Sequence, residues 1–494
     1  MVLRLLLPVL VVLLFGGALT AQELDSLQPA NVLALEEVID LAKQQSPAYY
    51  QITNFRESRY WAWRAYQANY RPQLVLSGNL PDYRRAFSQV EQNDGSILPQ
   101  FVNLSNSSLR LSLNQNIGLT GGQIFASTEL QRVDNFVRDT RFYNSSPAVI
   151  GFNQPLFNYN ELYWDKRIEP LRYEESKKQY AEELENIAVV TTGLFFDLLL
   201  AQISLEIALK NQANNDTIYK IGQGRYNLGR IAENELLQLE LALMKSNQDA
   251  SQARLDLETS TLRLKTNVGL VDRQRVQLVP PVSIPTFLMD ETLALSEARK
   301  NRRDVIAYQR QVLEGERDVA QARGQSSLNA NLFAQYGLSS QATTIPDVYA
   351  RPDNQQIIQL GFTIPIVDWG RAKSLRKTAQ SSYERTKNVV AQLEVNFEQE
   401  IYTQVKQFDM LREQLKITAK SDEIAQKRYD ISKNRYLIGK IGITDLNIAL
   451  TDKDQAKRSY VQSLRQFWTS YYTLRRLTLY DFAANTPLLV PNER

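Results

Sequence analysis

The chain has 494 residues, with 57 basic and 54 acidic side chains and a formal net charge of +3. That balance offers no basic face for nucleic acid. Its 43% hydrophobic residues suit an ordinary soluble protein or a membrane β-barrel, whose strands are apolar on one face only.

Cysteine and histidine are both absent. This excludes disulfides, thiol nucleophiles, thiolate metal sites and lipid attachment through an N-terminal cysteine. It also removes the commonest general base and the commonest metal ligand. An enzyme here would have to work with carboxylates, lysine or tyrosine, and no cofactor is implied.

Residues 1–21 have the form of a secretory signal. Arg4 gives a positive start, Leu5 to Leu14 an apolar stretch, and Gly16, Gly17, Ala18 and Ala21 the small residues near a cut after Thr20 or Ala21. The apolar run, roughly 12 residues, falls short of the ~20 that span a bilayer. No later stretch reaches that length uninterrupted by charge. The mature chain is expected to cross the inner membrane and to carry no transmembrane helix, so it can reside in a membrane only as a barrel.

Two passages of the same order follow. A first unit, 22–279, is read as a helical segment (Leu33 to Tyr70), strands at about 73–156, a very long helix at about 170–225, a glycine-containing turn at 226–233 and a helix at 234–266. The pair Pro280-Pro281 opens a linker, 280–288, because two prolines cannot continue a helix. The second unit, 289–482, is read as a helical segment to Arg323, strands at about 328–366, a long helix at 371–435, a turn at 436–443 and a helix at 444–480. A polar tail, 483–494, ends the chain.

The two units share sequence as well as order. Arg225-Tyr226-Asn227-Leu228-Gly229-Arg230-Ile231 recurs as Arg435-Tyr436-Leu437-Ile438-Gly439-Lys440-Ile441, at an offset of 210 positions. Six residues after each glycine stands a carboxylate, Glu235 and Asp445, followed by Leu236 and Leu446. The same offset joins Gly151-Phe152 and Pro155 to Gly361-Phe362 and Pro365. One register held over such a distance reads as an internal duplication. Leu74 to Gly151 spans 77 positions and its counterpart, Leu328 to Gly361, only 33, so the first strand region carries about 44 extra residues.

The helices are patterned as coiled coils. Ala456, Tyr460, Leu464, Phe467, Tyr471 and Leu474 step by threes and fours, and Phe397, Ile401, Val405, Phe408, Leu411 and Leu415 keep a similar stripe. At ~1.5 Å per residue the segment 371–435 is on the order of 100 Å long, which globular domains rarely contain.

The strands alternate: Leu109, Leu111, Leu113; Ala148, Ile150, Phe152; Ile358, Leu360, Phe362, Ile364. Alternation fits barrel strands and equally a soluble sheet with one wet face. The secretory signal and the polar stretch 91–108, read as a loop between strands, favour the barrel. Four strands are expected, or six if Leu119-Thr120-Gly121-Gly122 is a tight turn. Either number is below the roughly eight that close the smallest barrels, so several chains must share one.

With the coiled coils, the hairpins and the two tip turns in place, the chain resembles the TolC family of outer-membrane efflux proteins over about residues 30 to 482. The repeated Tyr-x-x-Gly turn carries the resemblance, together with Gly151-Phe152-Asn153-Gln154-Pro155-Leu156-Phe157 and Gly361-Phe362-Thr363-Ile364-Pro365-Ile366-Val367.

The resemblance implies an α+β membrane protein: a long antiparallel coiled-coil helical barrel in the periplasm, continuous with an antiparallel β-barrel in the outer-membrane lipid. It implies a homotrimer, with four strands per chain and twelve in the barrel. The partners implied are a periplasmic membrane-fusion adaptor and an inner-membrane transporter. The work implied is conduction, not catalysis.

It also places Tyr436 and Asp445 at the positions that close the tip, with Glu235 and Tyr226 at the matching places of the first turn. Gly229 and Gly439, with Arg230 and Lys440 beside them, match the turns where adaptor hairpins seat. Three copies would ring the aperture with six carboxylates, favouring cations. Two family positions differ: an arginine is replaced by Ile441 and a second aspartate by Ile448.

Structural duties compete with each of these roles. Acidic residues complement the dipole of a helix's first turn, tyrosine fills heptad positions, and glycine ends helices. Small-molecule efflux and type I protein secretion both fit the duct. A secreted structural coiled coil would have no use for the strands, and a passive porin none for the helices.

Overall fold

The computed structural model describes residues 31–91, 95, 97–270, 276–281, 284, 285, 287 and 289–488. The expected signal at 1–21 lies outside the described residues, as do parts of the linker and of the tail.

In chain order the elements begin with β1 (Asn31–Leu33), α1 (Leu35–Gln45) and α2 (Pro47–Ala68). Four long strands follow: β2 (Gln73–Glu91), β3 (Ile97–Ile117), β4 (Gly122–Asn135) and β5 (Thr140–Leu156). Next come α3 (Glu161–Asn227), α4 (Glu233–Val268), β6 (Val276–Leu278), α5 (Glu291–Asn301) and α6 (Arg303–Gln325). The chain continues through β7 (Asn329–Ala342), α7 (Ile345–Ala350), β8 (Asp353–Thr363), α8 (Arg371–Leu437) and α9 (Ile443–Thr478). It ends in a small hairpin, β9 (Tyr480–Asp481) and β10 (Thr486–Pro487). The long helices α3 and α8 each have 67 residues, and the helices after them, α4 and α9, each have 36.

Two expected helical segments are broken in the middle. Ser46 precedes a proline and is extended, as the ring of Pro47 requires, and its Oγ accepts from the Tyr49 amide at 3.0 Å to start α2. Arg302 is extended between α5 and α6. Its buried guanidinium pairs with Asp304 at 2.6 Å and Glu400 at 3.1 Å and lies over the Phe397 ring.

The first long helix begins nine residues before its expected start at Pro170. Asn160 caps it by accepting from the Tyr163 amide at 3.0 Å, and Pro170 lies inside the helix, where it removes one backbone bond and crowds the carbonyl of Lys166 without ending it. Asp368 opens α8 similarly. Its carboxylate accepts from the Ala372 amide at 2.7 Å and the Gly370 amide at 3.0 Å, and these bonds hold its pKa below the ordinary carboxylate range.

The chain divides into two compact units, each drawing on both halves of the sequence. One comprises Met1–Tyr49, Ile187–Thr286 and Leu411–Thr469. Within it β1 pairs in parallel with β6, and Gln202 of α3 fixes β6 by donating to the Val276 carbonyl at 2.9 Å and accepting from the Leu278 amide at 3.1 Å. Here α3 carries a window with the hydropathy of a membrane span, 1.8, half of it buried within the protein. Phe195, Phe196 and Leu198 are fully buried, so that hydropathy belongs to a core. Small residues, Ala208 of α3 with Ala250 and Ala253 of α4, form a further buried cluster.

The other unit comprises Tyr50–Asn186, Phe287–Met410 and Ser470–Arg494. Its helical part is tied by partly buried ion pairs. Arg475 of α9 meets Glu185 at 3.1 Å and Asp481 at 2.7 Å. Arg310 of α6 meets Glu175 at 2.6 Å and Glu314 at 2.8 Å, and Glu314 also receives Arg172.

The same unit holds a six-stranded sheet in the order β2-β3-β4-β5-β7-β8, antiparallel at every step. The tight turn after Leu119 is therefore real, and the four strands per chain that the family resemblance implied are corrected to six among the described residues. The stretch read as a loop at 91–108 is largely strand: β3 runs from Ile97 and pairs with β2 as far as Glu91. Its Asn and Ser side chains, consecutive from Ser105 to Ser108, stand on a paired backbone, and composition alone hid that.

Candidate channel wall and tip turns

The register fixes what each face of the sheet carries. Leu74 lies opposite Leu113, Leu113 opposite Ala126, Ile124 opposite Phe152, Phe152 opposite Ala334, and Ala334 opposite Ile358. One face therefore carries an apolar band across all six strands, and beyond it the same face turns polar at Ser105, Ser107, Arg132 and Asp134. Its large side chains stand out in solvent: Leu76, Phe152, Leu360 and Phe362 are all exposed, and Ile358 is 79% exposed.

Side chains on the opposite face are mostly amides and hydroxyls, such as Gln123, Asn153, Asn331 and Gln359. Arg110 and Glu129 neutralise each other there at 2.5 Å. One aromatic pair interrupts it: Phe125 and Phe333 stack at 5.9 Å across Gly151, where a Cβ would come within 2.6 Å of the Phe125 ring. A sheet with one dry face and one wet face, exposed on both, suits a wall between lipid and water.

Polar side chains stitch the foot of this wall. Asn160 donates to the carbonyls of Gly118 and Leu119, and Gln154 donates to that of Thr120 at 3.0 Å. Tyr70 donates from its hydroxyl to the Leu162 carbonyl at 2.8 Å.

The tip turns lie in the other unit and share one backbone motif. After α3 the Gly229 amide donates to the Tyr226 carbonyl at 2.8 Å and the Arg230 amide to the Arg225 carbonyl at 2.9 Å. After α8 Gly439 bonds Tyr436 at 2.9 Å and Lys440 bonds Arg435 at 2.8 Å. Both glycines are left-handed, with φ +61° and +73°. This pair of bonds closes a helix C-terminus in the Schellman manner, and it requires glycine at that place.

The matched tyrosines have different surroundings. Tyr436 is 5% exposed in a core with Leu239, Tyr429, Ile443 and Leu446, and Arg225 lies over its ring at 5.6 Å. Burial pushes its hydroxyl pKa up; Arg225 opposes this and Glu235 adds to it. Tyr226 is 40% exposed. Glu235, Arg225 and Tyr436 are thus brought together, whereas Asp445, Arg230 and Lys440 stand exposed.

Arg225, Leu239 and Tyr429 were not among the residues singled out from sequence. Arg225 could have been, since it opens the repeated motif. Glu235 and Asp445 both fall in first turns, of helices that begin at Glu233 and Ile443. Each start is one residue ahead of expectation.

Two further stripes lie on the helices of this unit. Ile417, Ile424 and Ile431 recur on α8 at intervals of seven, with Ile438 one step further in the turn after it, each more than half exposed. On α4 Leu237, Leu241, Met244, Leu255 and Leu262 keep heptad spacing and are also more than half exposed. These are coiled-coil seams left exposed, with no partner helix over them among the described residues.

The sequence matches the outer membrane efflux protein family over residues 64–270 and 294–478. The chain belongs to that family. No curated protein matches it. The crystal structure of the Campylobacter jejuni CmeC outer membrane channel is similar at a TM-score of 0.65 and 16% identity, covering 90% of this chain and 85% of that one. The outer membrane protein VceC from Vibrio cholerae is similar at 0.60 and 13%, covering 92% and 96%. At such identities the likeness is one of fold: a helical barrel portion with a β domain. As a family member this chain is an efflux channel of the outer membrane with its helical part in the periplasm.

Proposed function

We propose that three copies of this chain form the exit duct of a tripartite efflux pump. The duct carries small molecules from an inner-membrane transporter, through a periplasmic adaptor, to the exterior. One observation carries this reading: a sheet with an apolar band across one face and a mostly polar opposite face, yet open at both edges among the described residues. An open edge in lipid leaves backbone groups unpaired at several kcal/mol each, so the wall must be completed by other copies. The unpartnered seams on α4 and α8 support the same assembly, each supplying a stripe for a neighbour's helix. The equal lengths of α3 with α8, and of α4 with α9, support descent from one duplicated unit.

We further propose that the two tip turns form the periplasmic aperture. Tyr436 and its neighbours hold the second hairpin against the first, Glu235 and Asp445 line the opening, and Tyr226 faces it. Gly229, Arg230, Gly439 and Lys440 present the turns to the adaptor. Three copies place six carboxylates around the opening, a ring that attracts cations.

The test is the reversal potential of the purified protein in planar bilayers under a salt gradient, wild type against Glu235→Ala/Asp445→Ala. Discrete channels whose cation preference falls in the double variant are expected. Channels with unchanged preference would return both carboxylates to helix capping. A well-folded preparation with no channel and no barrel by electron microscopy would contradict the duct.

A further inference from the structure

We infer that the β2–β3 hairpin is an insertion built into the barrel wall, so that three chains close an eighteen-stranded barrel, six strands from each. This rests on the shared-barrel reading above.

The sequence offset that aligns Gly151 with Gly361 lays β5 on β8, and hence β4 on β7. No counterpart is then left for β2 and β3, which account for the extra residues of the first strand region. The hairpin returns the chain to where it left. The Asn116 side chain donates to the Asn69 carbonyl at 3.0 Å and Gln115 to that of Tyr70 at 3.0 Å, so β4 starts beside the end of α2.

The hairpin also continues the wall chemically. Leu74, Leu76, Leu109, Leu111 and Leu113 extend the apolar face without a break and are exposed. β3 pairs with β4 along the whole of β4, from Ile117↔Gly122 to Leu104↔Asn135. A loose appendage would need neither the apolar face nor so complete a ladder.

The edges are compatible with closure. Every neighbouring pair is antiparallel, so the first and sixth strands, β2 and β8, run in opposite directions. The β8 of one copy can therefore add to the β2 of the next without a parallel step.

With strands about 4.8 Å apart and tilted about 40°, eighteen give a barrel about 36 Å across between backbones, against about 24 Å for twelve. That is porin width, which leaves an aqueous channel. Its lining is largely uncharged amide and hydroxyl. The outer mouth then admits bulky polar solutes without sorting them by charge.

Electron cryo-microscopy of the full-length protein in lipid nanodiscs, with the strands counted, tests this. A threefold particle with eighteen wall strands is expected. A threefold particle with twelve, the β2–β3 hairpin lying outside the wall, overturns the inference and leaves the duct standing. A particle without a shared barrel overturns the duct reading itself. A second readout is polymer exclusion from the outer side, wild type against a deletion of 72–117. The exclusion diameter should fall by more than about a third, and an unchanged diameter overturns the inference.

Discussion

At Gly229 and Gly439 the backbone enters the left-handed region, where a side chain costs roughly 1–2 kcal/mol. No atom lies within 4 Å of where a Cβ would stand on either residue, so the strain is purely conformational. Gly439→Ala should therefore lower stability by about 1 kcal/mol, read as a fall in the melting temperature of the detergent-solubilised protein. An unchanged melt would mean the turn relaxes freely.

Tyr436 separates core from gate. Its ring is enclosed by Leu239, Ile443 and Leu446, so Tyr436→Phe should melt like wild type, whereas Tyr436→Ala should cost about 3–5 kcal/mol. If Tyr436→Phe alone raised channel conductance, the hydroxyl would be part of the closure. Sequence placed Tyr226 and Tyr436 on equal terms, because the motif around them is the same. Their difference comes from the packing of the neighbouring helices, which no local pattern encodes.

Glu314 gives a pH dependence. Burial raises its pKa, but the hydrogen bond from Arg172 and the charge of Arg310 outweigh that and leave it below the ordinary 4.5. A depressed folded pKa adds stability that is present above the unfolded value and is lost as pH falls through the folded one. Wild type should thus lose more stability than Glu314→Gln on going from about pH 6 to about pH 3, measured by thermal melting at each pH. Equal losses would remove Glu314 from the account.

At the scale of elements, the buried seams were legible and the exposed ones were not. Phe397, Ile401, Val405, Phe408, Leu411 and Leu415 step as a seam, and all are buried. Ile417, Ile424 and Ile431 lie on the same helix, but one apolar residue per seven is a thin signal until the neighbouring face is known. If they meet another copy, replacing Ile417, Ile424 and Ile431 together with serine should shift the solubilised protein from trimer to monomer by light scattering. The chain's own core should stay folded by circular dichroism.

Helix starts are less legible than the helices themselves. The pattern places the first long helix from about 170, whereas its cap is Asn160. The breaks at Ser46 and Arg302 depend on a following proline in the first case and on a buried ion network in the second. The tie between α9 and α3, Arg475 to Glu185, is also long-range. Removing Arg475 takes the guanidinium from Glu185 and Asp481, both largely buried, and Arg475→Ala should cost about 3 kcal/mol in chemical denaturation.

For the whole molecule, the order of elements and the alternation of strands made the fold class readable, and the family match agrees with it. The strand number was not readable, because β3 mixes serine and asparagine into its ladder with β2 and β4. Such residues read as loop in one dimension and as a water-facing strand in two. The assembly rests on what one chain leaves uncovered: two sheet edges, an apolar face and two helical seams.

Native mass spectrometry of the intact protein released from detergent measures that assembly most directly. A single dominant species of three chains is expected. A stable monomer, or an even-numbered assembly, would contradict the shared wall of three on which the duct depends.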